Sequence, residues 1–246
     1  MTNLVTKNQI KFVQSLHRKK YRQKYGQFLV EGAKAVQEFI NQGWKAESII
    51  VQENVPHKLK LSVDVEPVAA TSLQMNQISS FKTAAPVVGV FNMRESGSVD
   101  YSKSMIALDS INDPGNLGTI IRIADWYGIE QVLVSRSTVE EFNSKAISST
   151  MGSYARVKVF RVDLLDTLKN FNEKIYAAML EGESIYSIHK STGPFCLIIG
   201  SESHGIDATL YENLRAKRIS IPRIGDAESL NAGVATGILI DRILNG

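Results

Sequence analysis

The stretch FCLIIGSESHGID, residues 195–207, carries the reading of the fold. Five apolar residues run from Phe195 to Ile199 and stop at Gly200. A strand that is apolar on both faces belongs inside a parallel sheet covered on each side by helices. Ser201, Glu202 and Ser203 follow at once, then Gly205. Glycines let a backbone come close to a ligand. A carboxylate just beyond a buried strand is costly unless it is hydrogen-bonded or paired, so Glu202 is either solvated or held.

The same alternation extends in both directions from this strand. Downstream, Asp207–Arg215 reads as a short helix, RISIP (218–222) as a strand, and LNAGVATGILIDRIL (230–244) as a terminal helix. Upstream, SMIALDS (104–110), QVLVS (131–135), ARVKVF (155–160) and KIYAAML (174–180) read as strands. Helices fall between them: one with Ile120, Ile123, Ala124 and Tyr127 on a stripe closed by Gly128, one over 140–149 and one over 163–171. Strands alternating with helices predict an α/β protein with a mostly parallel sheet.

The first hundred residues form a smaller set of the same kind. Helices are expected near Lys7–His17, over 33–43 and over 72–80, with strands over 27–32, 47–52, 66–70 and 85–93. RESGSVDYSKS (94–104) is polar and aperiodic. It is expected to be the linker, which divides the chain into domains 1–94 and 105–246 around residues 95–104.

The chain has 246 residues, 43% hydrophobic and 22% charged, enough for one large or two modest domains. No apolar run approaches a membrane span, and the start MTNLVTKNQI lacks the layout of a secretory signal. The single cysteine, Cys196, lies in the apolar run and reads as a buried structural thiol, which suits a reducing cytoplasm. Net charge is +3, but Lys7, Lys11, Arg18, Lys19, Lys20, Arg22 and Lys24 crowd the first thirty residues without one acid. Such a field attracts phosphate backbones. Tyr21 and Tyr25 interleave rings that can stack on unpaired bases, so Arg18, Lys19, Lys20 and Arg22 are the candidate RNA contacts.

Several chemistries are missing. There is no G-x-G-x-x-G after a strand, no G-K-[ST] and no G-x-S-x-G elbow. His17, His57, His189 and His204 are scattered, so no metal is expected. His204 lies near Ser201 and Ser203, but a hydrolytic dyad would also need an orienter and an oxyanion hole.

Three polar, glycine-bearing loops remain at predicted carboxyl ends of strands, the edge where open α/β sheets bind ligands. The first is LDSINDPGNLGTIIR (108–122), with Asn116 near the helix start and Arg122 six residues on. With Asn116 at the cap, its side chain can turn back toward Arg122. The second is the Gly200 loop with Glu202. The third is ISIPRIGDAESLNAGVATG (219–237), where Pro222 ends the strand and Ser229 is expected to cap the helix. Asn231 then lies inside the helix, unneeded for capping, and is expected to face the site.

NLGTIIR, IIGSESHGI and IPRIGDAESLNAGVATGI, in that order, resemble the three motifs of the SpoU-type (TrmH-like) RNA ribose 2′-O-methyltransferases of the SPOUT class. The likeness covers roughly residues 105–246, and EGAKAVQEF with the basic start resembles the small α/β RNA-binding domain many members carry in front. The resemblance implies a trefoil-knotted sheet, S-adenosylmethionine as methyl donor, a homodimer and no metal. By motif position it assigns Asn116, Arg122, Glu202, Ser229 and Asn231 to catalysis. It assigns Gly200, Ile221 and Leu230 to the cofactor pocket. Arg223 after the proline, and SLNAG for the commoner S-L-N-V-S, depart from the pattern but keep Ser-x-Asn.

The implied reaction is methyl transfer to a ribose 2′-hydroxyl of structured RNA, with ribosomal RNA expected over transfer RNA. A guanidinium keeps its proton in a protein. Arg122 is therefore expected to clamp the hydroxyl and adjacent phosphate, with Asn116 holding it and a phosphate oxygen or water taking the proton. Two other readings stand beside this one: a non-catalytic RNA-binding or ribosome-assembly factor of the same fold, and a methyltransferase acting on a base atom.

Overall fold

The computed structural model describes residues 4–56, 59–60 and 65–246; His57 and the first three residues lie outside them. The chain folds as two compact units. One comprises Met1–Glu95 with Glu140–Ala155, the other Ser96–Val139 with Arg156–Gly246.

The first unit contains α1 (Lys7–Ser15), α2 (Lys19–Tyr25), β1 (Gln27–Glu31), α3 (Ala33–Asn41), β2 (Ala46–Gln52), β3 (Val68–Ala70), α4 (Ser72–Ile78) and β4 (Val87–Asn92). Thr6 and Thr71 open α1 and α4 with reciprocal capping bonds to Gln9 and Gln74. The sheet runs β1-β4-β2-β3. Among these strands β4 is antiparallel to both neighbours and only β2–β3 is parallel, so this sheet is mixed. The reason is that β4, the last strand, inserts between β1 and β2 in the opposite direction.

The second unit contains β5 (Met105–Asp109), α5 (Pro114–Trp126), β6 (Gln131–Val134), β7 (Lys158–Arg161), α7 (Leu164–Leu168), β8 (Lys174–Ser184), β9 (Phe195–Gly200), α8 (Ala208–Asn213), β10 (Lys217–Ser220) and α9 (Ala232–Asn245); α6 (Ser144–Ser149) belongs to the first. Its sheet runs β10-β8-β9-β5-β6-β7, with all five pairings parallel. β9 and β5 lie in the middle, buried as their apolar runs predict. Ala107, Leu133, Ala177 and Ile198 form one face of the core with Leu164, Leu168 and Leu210.

Three local expectations are corrected. Residues 96–104 are no free linker: Val99 packs on the core of the second unit, Ser96 Oγ donates to the Val159 carbonyl at 2.7 Å, and Gln131 exchanges two hydrogen bonds with the Asp100 backbone. Residues 140–155, read as part of the second domain, pack in the first unit. Phe142 sits 4.7 Å from Phe28, Tyr154 stacks on Phe39, and Glu140 pairs with Arg22. Rings spaced through the sequence gave no sign of which core they would join.

The third concerns α9. Helical spacing puts Leu230, Val234 and Ile238 on one apolar stripe with Ala235, Leu239 and Ile243 beside it, yet the first three are exposed while Leu239 and Ile243 are buried. The inward face is Gly233, Thr236, Leu239, Ile240 and Ile243. α5 and α9 lie side by side and run the same way: Gly233 meets Thr119, Gly237 meets Ile123, and Tyr127 donates to Asp241. A Cβ on Gly233 would stand 2.8 Å from Thr119, so this position sets how closely the helices approach.

Candidate active site

The site forms where β5 and β9 end. Asp109 and Gly200 are register partners, so the first two motif loops leave the sheet from adjacent points. Gly200 is forced by its own loop: a Cβ there would fall 2.1–2.4 Å from the backbone of Gly205 and Ile206. The turn Ser201–Gly205 closes by paired backbone bonds of 3.1 and 2.9 Å. Asp109, buried at the end of β5, accepts from the Asp207 N–H at 2.9 Å and pins this turn beside the first loop.

α5 opens with Asp113 as its cap and Pro114 at the first helical position, a favoured start. Asn116 is therefore not the expected cap but lies within the first turn. Its side chain does not reach Arg122; its amide N–H donates to the Glu202 carboxylate. Its carbonyl accepts from Asn231 Nδ2 at 2.7 Å. Asn231, not Ser229, caps α9: its Oδ1 accepts from the N–H groups of Gly233 and Val234 at 3.0 and 3.3 Å. One asparagine thus does two things, because the parallel packing of α5 and α9 brings their N-termini together.

Residues from all three motifs therefore meet in one directional chain, Asn231 to Asn116 to Glu202. Arg122 stands two turns along α5, exposed and without a partner among the described residues. Ser229 is exposed in the loop before α9 and is not part of this chain. Leu230 and Ile224 are exposed and Ile221 half-buried in the same loop, and among the described residues no backbone–backbone hydrogen bond ties Arg223–Leu230.

Two groups escaped the sequence reading. Arg161, at the end of β7, donates to the carbonyls of Ser135, Thr138 and Val139 and shapes the loop after β6. The hydroxyls of Ser110, Ser135, Ser137 and Thr138 form a cluster beside it. Neither leaves a signal, since both depend on pairing of distant strands. Asp113-Pro114 did carry one, the ordinary signature of a helix start.

In the first unit the basic cluster divides. Arg18, Lys19 and Lys20 are exposed, with Lys20 and Lys24 over the rings of Tyr21 and Tyr25 at 4.8 and 5.2 Å. Arg22 is corrected: it is 2% exposed, paired with Glu140, and donates to the carbonyls of Leu16 and His17 at 2.9 Å. It closes the turn between α1 and α2 and offers nothing to a ligand. Among the described residues no His, Cys, Asp and Glu cluster could hold a metal ion, and no helix is long and apolar enough to cross a membrane.

An α/β unit with a parallel sheet, whose motif loops meet at one edge, defines the class. The profile of the SpoU rRNA Methylase family matches residues 103–241, and the chain belongs to that family. Residues 7–89 match the MRM3-like substrate binding domain. Over 238 residues, 95% of each chain, the protein is 32% identical to the 23S rRNA (guanosine(2553)-2′-O)-methyltransferase RlmP of Bacillus subtilis (strain 168). It is 29% identical to the 23S rRNA (guanosine-2′-O-)-methyltransferase RlmB of Blochmanniella floridana, over 86% of this chain and 92% of the relative. Among solved structures, a protein assigned to the TrmH family of RNA methyltransferases from Porphyromonas gingivalis gives a TM-score of 0.87 at 32% identity, covering 98% of both chains. An AdoMet-bound rRNA methyltransferase from Sinorhizobium meliloti gives 0.83 at 26% identity, covering 99% of this chain and 96% of that one.

Proposed function

We propose that the chain transfers the methyl group of S-adenosylmethionine to a ribose 2′-hydroxyl of ribosomal RNA, in the cytoplasm and as a homodimer with a knotted second domain. The observation that carries this is the Asn231–Asn116–Glu202 chain, which ties the three motif loops together, with Arg122 exposed further along α5. The relatives from Bacillus subtilis and Blochmanniella floridana, both named as 23S rRNA guanosine 2′-O-methyltransferases, support the substrate class.

The loop after β10 suits the methyl donor. Its exposed Ile224 and Leu230 and half-buried Ile221 offer apolar contact to a flat heterocycle, and its backbone groups offer partners to polar edges. Gly200, Ile221 and Leu230 would hold it, with Ser229 toward the ribose or the donor. When bound, S-adenosylmethionine supplies a methyl group on a positively charged sulfur. Arg122 holds the hydroxyl and the neighbouring phosphate in line, a positional contribution. Asn116 and Asn231 keep Glu202 turned to the site. In the first unit Arg18, Lys19 and Lys20 hold the RNA backbone, with Tyr21 and Tyr25 offering ring faces.

A second copy is supported by what α5 and α9 leave uncovered. Trp126 is 83% exposed, and Val234 and Ile238 stand outward on the adjoining helix. Arg122→Ala tests the catalytic assignment: transfer to rRNA falls by about 10²–10⁴ while calorimetry shows S-adenosylmethionine binding unchanged. Near-normal turnover removes Arg122 from the reaction.

A further inference from the structure

A guanidinium is no proton acceptor, Glu202 is held by Asn116, and the sequence reading leaves the departing hydroxyl proton to a phosphate oxygen or water rather than to a side chain. We infer that His204 takes it, an inference that rests on the proposed ribose methylation. His204 stands in the closed Ser201–Gly205 turn, its own N–H donating to Ser201 Oγ at 3.2 Å. Ser201 is buried while Glu202, Ser203 and His204 are exposed, so the turn fixes the backbone and presents three side chains outward. His204 is two residues from Glu202, which places their Cα atoms within about 7 Å of each other.

In one of its two neutral tautomers the ring presents an open acceptor. Its Nδ1 lies 2.7 Å from Ser203 Oγ. With Nδ1–H donating to that hydroxyl, the lone pair resides on Nε2, which has no partner among the described residues. The nearby carboxylates each accept a bond of their own: Glu202 from Asn116, Asp207 from the Thr209 N–H, and Asp109 from the Asp207 N–H and Ser110. Imidazole is also the side chain that gains and loses a proton near neutral pH. In the step, the O2′–H bond breaks and the proton passes to Nε2. The freed electron pair forms the bond from O2′ to the methyl carbon, and the carbon–sulfur pair stays on sulfur. The imidazolium then returns its proton to solvent, to which the turn is open.

The test uses the full chain and a transcript of large-subunit ribosomal RNA. Single-turnover methyl transfer is measured for the wild type, His204→Ala and His204→Gln, each with and without added imidazole. Both variants are expected to lose about 10²-fold, and imidazole to restore part of the loss in His204→Ala alone. Separately, carbethoxylation of His204, mapped by mass spectrometry, is expected to slow when RNA is bound. Wild-type rates in the variants, a loss that imidazole leaves untouched, or modification indifferent to RNA overturns the inference and leaves the methylation reading standing. A wild-type protein that methylates no RNA overturns both.

Discussion

Asn231 shows how much a single amide can do. Its carbonyl oxygen caps α9, and its N–H holds Asn116, which in turn holds Glu202. The two duties separate by substitution. Asn231→Ser keeps a good cap, so urea denaturation is expected to shift by only a few tenths of a kcal/mol, whereas Asn231→Ala is expected to cost about 1 kcal/mol. Both lose the amide bond to Asn116, and both are expected to lose methyl transfer equally. A transfer rate that follows stability instead would mean the asparagine only caps. Cys196 behaves in the opposite way, touching nothing chemical. Burial pushes its thiol well above the ordinary range, so the neutral form is favoured in the native state. Its contribution to stability is intact below the thiol's ordinary pKa and is lost progressively as pH rises from that value toward the raised native one, because only the unfolded chain ionises in between. Thiol reagents are therefore expected to label Cys196 only as the second unit unfolds in urea, and labelling of the native protein would contradict its burial.

At the scale of elements, α2 carries two kinds of cation. Arg18, Lys19 and Lys20 face solvent, whereas Arg22 is enclosed with Glu140. Arg22→Ala leaves the Glu140 carboxylate, only 12% exposed, without this partner, so a loss of about 3–5 kcal/mol in unfolding free energy is expected. Replacing Arg18, Lys19 and Lys20 together by alanine is expected to leave stability within about 0.5 kcal/mol and to weaken RNA binding with a shallower salt dependence. Filter binding across a salt series separates the two. The same contrast shows what was legible in the sequence. Apolar runs and their spacing yielded nearly every strand and helix of the second unit, because a strand buried on both faces is apolar throughout. Which cations of a basic run turn inward was not legible, since that depends on Glu140, 118 residues away. Nor was the outward face of α9: Val234 and Ile238 share helical spacing with a core stripe, and only the packing of α5 against Gly233 decides which side is buried. The three motif loops stand out in the sequence, but the hydrogen bonds that join Asn231, Asn116 and Glu202 do not, because the register of two parallel helices leaves no local mark.

For the whole molecule, the exposed Trp126, Val234 and Ile238 support a second copy of the chain as their cover. Ile238→Glu is expected to convert a dimer to a monomer in sedimentation equilibrium without unfolding it, and a wild-type chain that sediments as a monomer would remove the homodimer from the account. The central claim is the reaction itself. It is tested most directly by incubating the protein with labelled S-adenosylmethionine and ribosomal RNA, digesting the RNA to nucleosides and locating the label. The account predicts label on the ribose 2′-oxygen of one nucleoside and its disappearance with Arg122→Ala. Label on a base, or no label at all with active cosubstrate and intact RNA, would contradict it.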